Sequence, residues 1–391
     1  MKVMRPVSIV GIGQIPVQRH STAGLRSMAA EAVCLALHDA GIEQVDALYA
    51  GNMLADELQN QKHLAALIAD EAGLAGVEAI DVSAATAAGA AALRLAYLAV
   101  SSGEADLAVA VGVEKMSDGI ATPALAKALD AEREVADGKT LVGQNAWLMA
   151  RYFETYRPPA DALAYFSVNA HANARHNPYA LFQDRPLTPE DVLASRFIVP
   201  PIRLLDCSPI CDGAAAVVLA PSERARMYTA HPVHLLASSV ATDRFRLDDR
   251  SDPLFLTAAQ RSARLALQRA GLQLQDVDFF ELHDAFSIMA CLLLEAVGFA
   301  ERGQGWKLAV EGEIGLHGRI PVATMGGLKA RGHPIGATAL YQTCEIVLQL
   351  TGRAGPNQLA DPHIAMLQSV GGVGTTVLTH LFAGPDHRPV L

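Results

Sequence analysis

Two widely separated stretches of the chain carry the same pattern of apolar and polar positions. Near the start, LRSMAAEAVCLALHDAGIEQVDALYAGNM places apolar residues three and four apart, stops at Gly41 and runs into a short apolar strand. Far downstream, LTAAQRSARLALQRAGLQLQDVDFFELHDAF repeats that plan, with Gly271 after the last turn. The spacing predicts an amphipathic helix, a glycine stop and a strand in both places. Ala40-Gly41 answers Ala270-Gly271, and Val45-Asp46 answers Val277-Asp278 with two extra residues between.

The correspondence continues along both stretches. GAAAL, from Gly89 to Leu93, answers GATAL, from Gly336 to Leu340, and each opens a helix. ADLAVAVGV answers IAMLQSVGGVG, each a buried strand ending in glycine. Matched features in one order predict an internal duplication, with one half at 1–230 and the other at 231–391. Each half reads β-α-β-α-β, which predicts a mostly parallel sheet covered by helices, an α/β fold. An insertion at about residues 115–200 holds NAWLMARYFETY, FSVNAHANARHNPYALF and TPEDVLASRFIVPP. These read as short helices joined by Pro-containing loops, a place for substrate contacts.

If the halves pack about a pseudo-twofold axis, Thr86 and His333 occupy equivalent places. Each stands three residues before its matching glycine, at the start of a central helix. Two helix N-termini would then converge on one pocket, which favours developing negative charge and offers free N–H groups.

Composition narrows the class of partner. The hydrophobic share is 51% and the charged share 18%, ample for a large core. The net charge of −10 excludes a nucleic-acid backbone as the main partner, because such binding needs a basic surface. Cys34, Cys207, Cys211, Cys291 and Cys344 lie far apart with no C-x-x-C pair, as in a reduced, cytoplasmic protein. The opening MKVMRPVSIVGIG has no signal-peptide layout, no apolar run is long enough to span a bilayer, and the closing HRPVL matches no address tag.

Three motifs carry chemistry. ELHDAFS follows a strand and enters an apolar helix, with His283 and Asp284 at the junction and Phe286 beside them. MGGLKARGHPIGATAL is a glycine-rich loop that leads through Gly332 to His333 and Pro334. QSVGGVGTT places Ser369, Gly371, Gly372 and Gly374 in a tight turn, where glycines let a ligand carbonyl approach backbone N–H groups.

With SIVGIGQIPV, GVEKMSD, ARHNPYA, DCSPICDGAAAVVLAP, ELHDAFS, GHPIGAT and SVGGVGTT in this order, the chain resembles the thiolase superfamily, in particular the sterol carrier protein-type thiolases. The resemblance implies two similar α/β halves in a five-layer α-β-α-β-α sandwich. It implies a homodimer or dimer of dimers, a coenzyme A thioester as substrate and no tightly bound cofactor. Such relatives often work with a small OB-fold, zinc-ribbon partner that helps hold the acyl-CoA.

Carried over residue by residue, the resemblance leaves gaps. Thr86 stands where the family has its acyl-carrying Cys, and Ser369 and Ala285 stand where members have a second one. His283 and His333 remain, and the resemblance gives them the thioester oxygen. Gly332, Phe286, Ser369, Gly371 and Gly372 are the expected substrate contacts. An alcohol ionises near pKa 15–16 and a thiol near 8.5, so the alkoxide costs about 10 kcal/mol more to form. Thr86 therefore reads as a helix cap through its hydroxyl, with a catalytic acyl carrier that has His333 as its base as the alternative.

Enolate chemistry needs no acyl-enzyme, and the superfamily includes aldolases that cleave a β-hydroxyacyl-CoA. His283, Asp284 and Tyr341 are the candidates for base or acid, with a packed, hydrogen-bonded Tyr341 as the alternative. Two competing functions stay open: ordinary acetyl-CoA acyltransfer with another nucleophile such as Cys291, and a non-catalytic acyl-CoA-binding subunit.

Overall fold

A computed structural model describes residues 4–387; residues 1–3 and 388–391, which include most of the HRPVL tail, lie outside the described residues. Eleven strands form: β1 (Val7–Gln14), β2 (Ala47–Gly51), β3 (Glu78–Val82), β4 (Ala108–Lys115), β5 (Phe197–Val199), β6 (Ile202–Arg203), β7 (Asp212–Pro221), β8 (Val233–Thr242), β9 (Phe279–Glu281), β10 (Ile364–Gly371) and β11 (Thr376–Ala383). Nine of them make one sheet in the order β3-β2-β4-β7-β1-β8-β11-β10-β9, and β5 pairs with β6 apart from it.

The matched stretches occupy matched places. Helix α1 (Leu25–Ala40) lies between β1 and β2 in sequence, and α2 (Ala88–Ser102) precedes β4. Beyond the insertion helices α3 (Leu141–Tyr156) and α4 (Ala164–Ala174), helix α5 (Thr257–Ala270) lies between β8 and β9. Helix α6 (Ser287–Val297) follows β9, and α7 (Thr338–Leu350) precedes β10. Gly41 and Gly271, at φ 63° and 67°, end α1 and α5 in the left-handed conformation that glycine accepts.

The sheet is mixed and not mostly parallel. Only β2-β3, β2-β4 and β9-β10 run parallel; the other five neighbouring pairs are antiparallel. Within the sheet, the first half has two strands more than β-α-β-α-β allows, β3 at the sheet edge and β7 at its close, and the second half has one, β11. The turn at 372–375 is too short for a crossover, so β11 must return antiparallel to β10.

Three apolar clusters separate five layers. Met28 and Val33 of α1 pack on Val10, Val109 and Val218 of the first half-sheet. Leu93 of α2 and Leu340 of α7 fill the centre, between Val217 on one side and Leu367 and Leu378 on the other. Ala263 of α5 and Leu292 of α6 cover Met366, Val377 and Leu381 from outside. Burying each such leucine stabilises the fold by about 1.5–3 kcal/mol. The thiolase-type α-β-α-β-α sandwich follows from this layering.

The stretch between β4 and β7, residues 116–211, holds the helices expected of the insertion together with one exception. RFIVPPIR forms the β5–β6 hairpin and not a helix, as its aromatic and β-branched residues favour.

Candidate active site

The central helices meet at their N-terminal ends. A Cβ on Gly89 would lie 2.4 Å from the carbonyl oxygen of Gly336, so only glycine lets α2 and the turn before α7 approach this closely. A cavity of about 570 Å³ opens beside this contact. Thr86, His283, Phe286, His333 and Gly372 line it, with walls from the insertion such as Leu141, Ile198, Leu205 and Ile210.

Thr86 lies in the sharp turn after β3, next to Ala85 at φ 50°, a conformation uncommon for alanine. Its hydroxyl does not cap α2, whose N-cap Ala87 receives no side-chain bond. Thr86 Oγ1 instead donates to the Val370 carbonyl at 2.5 Å and accepts from the Gly372 N–H at 3.2 Å. The capping expectation is thus replaced by a bond across the two halves. The reason is local: the turn aims the side chain at the end of β10 and not along its own helix.

His283 and His333 face each other edge-on, with ring centroids 5.1 Å apart at 87°. His333 Nδ1 lies 2.7 Å from Thr338 Oγ1, which donates to the Pro334 carbonyl at 3.2 Å. Thr338 has one proton to give, so it accepts from His333 Nδ1–H, and the tautomer leaves Nε2 bare. His283 Nδ1 is buried and has no partner among the described residues. Burial holds the His283 pKa down to about 3. Burial, then the neighbouring His283 and Arg331, hold that of His333 well below its ordinary value. Both imidazoles are therefore neutral at pH 7.

Glu114 supports the His333 loop from the end of β4. Its carboxylate accepts from Asn52 Nδ2, the N–H groups of Met53 and Leu54, and the N–H of Gly336 at 3.0 Å. Burial pushes its pKa up to about 7, against these donors.

The other residues singled out from the sequence stand behind the cavity wall. Tyr341 is fully buried, donates to the Ile15 carbonyl at 2.7 Å and accepts from the Ala214 N–H at 3.1 Å. Its hydroxyl is committed to joining strands, the packed alternative for this residue. Asp284 accepts from the Leu328 N–H at 2.8 Å and braces the turn Gly327–Arg331. Ser369 lies inside β10, fully buried, and not in the glycine turn. Gly371 packs on the Ala84 carbonyl, and Gly332, at φ 116°, packs on Val17 and Cys211. Cys291 is buried in the α6 layer, bonded to Tyr152 and Glu295, and burial raises its pKa well above the usual thiol range.

Sequence reasoning missed several wall residues: Arg19, His171, Phe182, Arg185, Cys207 and Lys329. Lys329 stood inside a quoted motif, four residues before His333. Its signal was a cation, with Arg331 two residues on, in an otherwise apolar, glycine-rich loop.

Residues 7–223 match the family described as thiolase, N-terminal domain, and residues 239–384 match the thiolase C-terminal domain-like family. The chain belongs to the thiolase family and is an enzyme of that superfamily. It is 43% identical over 383 residues to an acetyl-CoA acetyltransferase of Methanothermobacter thermautotrophicus, covering 97% of this chain and 100% of that one. It is 30% identical over 396 residues to sterol carrier protein 2 of Homo sapiens, covering 96% of this chain and 72% of that one. Among solved structures, the Ltp2-ChsH2(DUF35) aldolase has the same fold, with a TM-score of 0.85 at 23% identity. That match covers 99% of this chain and 100% of the other.

Proposed function

We propose that the protein makes or breaks a carbon–carbon bond beside a coenzyme A thioester through an enolate, with no acyl group carried on the protein. One observation carries the reading. The histidine pair faces the cavity, while the only hydroxyl in the nucleophile position is spent on Val370 and Gly372. Relatives named acetyl-CoA acetyltransferase support the coenzyme A ester. A structural neighbour named an aldolase supports the type of step.

The chemistry divides between the two rings. An N–H on the buried, unpartnered Nδ1 of His283 would cost about 1–3 kcal/mol, so its proton sits on Nε2. His283 Nε2–H donates to the thioester oxygen as that atom gains charge. His333 Nε2, bare in its tautomer, takes the proton. In the cleaving direction that proton comes from the β-hydroxyl. The Cα–Cβ pair moves to the thioester carbonyl as an enolate, a carbonyl product leaves, and the enolate is reprotonated at Cα. Low basicity weakens His333 as a base, and the enolate's stabilisation by His283 offsets this.

A homodimer and an OB-fold, zinc-ribbon partner belong to the same proposal; the name of the Ltp2-ChsH2(DUF35) aldolase supports a second component. Intact-mass measurement after incubation with acetyl-CoA tests the absence of an acyl-enzyme. The unmodified mass is expected. An acetyl adduct on Thr86 or on any cysteine would restore ordinary acyl transfer.

A further inference from the structure

The cavity wall has an unusual charge. The chain carries 41 acidic and 31 basic residues, yet Arg19, Arg185, Arg196 and Lys329 line the cavity and no Asp or Glu does. Other arginines, such as Arg5, Arg224 and Arg331, have carboxylate partners. Arg19 and Arg185 have none among the described residues. Both guanidinium groups instead lie over the Phe182 ring, at 5.1 and 5.8 Å from its centroid. His171 stacks on the same ring at 5.4 Å, and its Nδ1 is held by the Arg185 carbonyl. Lys329, 1% exposed, donates to the Asp206 carbonyl and has the Asp206 and Asp284 carboxylates near it, so its charge is already balanced.

This cluster is tied to the histidine loop. The N–H of Phe182 donates to the Ala330 carbonyl at 3.1 Å, and that of Leu181 to the Arg331 carbonyl at 3.0 Å. Val17, two residues before Arg19, packs on Gly332. Arg19 and Arg185, on one ring and without a carboxylate, repel one another unless an anion joins them.

Resting on the coenzyme A reading above, we propose that the cavity takes an acyl group ending in a carboxylate, which Arg19 and Arg185 bind around Phe182. The phosphates of coenzyme A are the other source of negative charge, and geometry disfavours them. An extended pantetheine arm has about the length of four residues, which puts the nearest phosphate roughly 14 Å from the thioester sulfur. The arginines share one cavity of about 570 Å³ with the two histidines. A carboxylate a few carbons beyond the thioester carbonyl stays within it. Arginine suits the task, because its planar fork grips a carboxylate with two parallel bonds.

The test compares glutaryl-CoA with butyryl-CoA by titration calorimetry on the full chain. The two share every atom of coenzyme A, so phosphate contacts cancel. Wild type is expected to bind glutaryl-CoA about tenfold or more tightly, as for hydrogen bonds to a charged group. In Arg19→Met/Arg185→Met that preference is expected to fall close to unity. Equal affinities in wild type would overturn the proposal. So would a variant in which both affinities fall together, because the arginines would then serve the phosphates. Failure of both esters to bind would remove the coenzyme A reading itself, and this inference with it.

Discussion

Thr86 commits its hydroxyl to joining the two halves of the molecule. Its hydroxyl satisfies the Val370 carbonyl and the Gly372 N–H, two groups from the other half of the molecule. Thr86→Ala leaves both without that partner and is expected to lower stability by about 1–3 kcal/mol in chemical denaturation. Tyr341→Phe is expected to cost a similar amount, because Ile15 and Ala214 lose a shared hydroxyl. Its rate per folded molecule should stay at the wild-type value, and a selective loss of cleavage would return Tyr341 to the chemistry. The two histidines were legible in the sequence because each sits in a motif at the edge of a regular element. The fate of the Thr86 and Tyr341 hydroxyls was not. Each bonds to backbone far away in the chain, and no local pattern encodes such a partner.

The elements around the site hold it by backbone contacts. Glu114 joins the end of β4 to the loop at 52–54 and to Gly336 with one carboxylate. Glu114→Gln keeps the size and turns an NH₂ toward N–H donors. It is expected to cost about 2–4 kcal/mol by leaving buried donors unpaired. Because the His333 loop then shifts, kcat should fall while the affinity for an acyl-CoA changes less; a loss confined to affinity would place Glu114 in binding. The paired helices and their glycine stops were readable from apolar spacing alone. The returning strands β7 and β11 were harder, because DGAAAVVLAP and TVLTHLFA are continuously apolar and carry no sign of direction. The β5–β6 hairpin was lost for a different reason: its strands are too short to show a period.

For the whole molecule, duplication brings two glycine-bearing helix starts together and leaves the insertion to close a pocket over them. No helix among the described residues is long and apolar enough to cross a membrane. Packing both histidines inside that pocket sets their protonation. With His283 near 3 and His333 also depressed, lowering the pH through the ordinary imidazole range near 6.5 protonates neither ring. The rings should therefore add no limb to the rate of an enolate-forming step from about pH 8 down to pH 5, and a limb near 7 in wild type is that of Glu114, whose protonation disturbs the His333 loop. In Glu114→Gln that limb should vanish; one that persists near 6.5 would mean that the rings titrate as if in water. The most direct test of the account is exchange of the α-protons of a bound acyl-CoA with deuterated solvent, followed by NMR, with and without an OB-fold partner. Wild type is expected to exchange them, and His333→Ala to do so about a hundredfold to a thousandfold more slowly with its fold intact. Wild-type protein that binds the ester and exchanges nothing under either condition would contradict the enolate site.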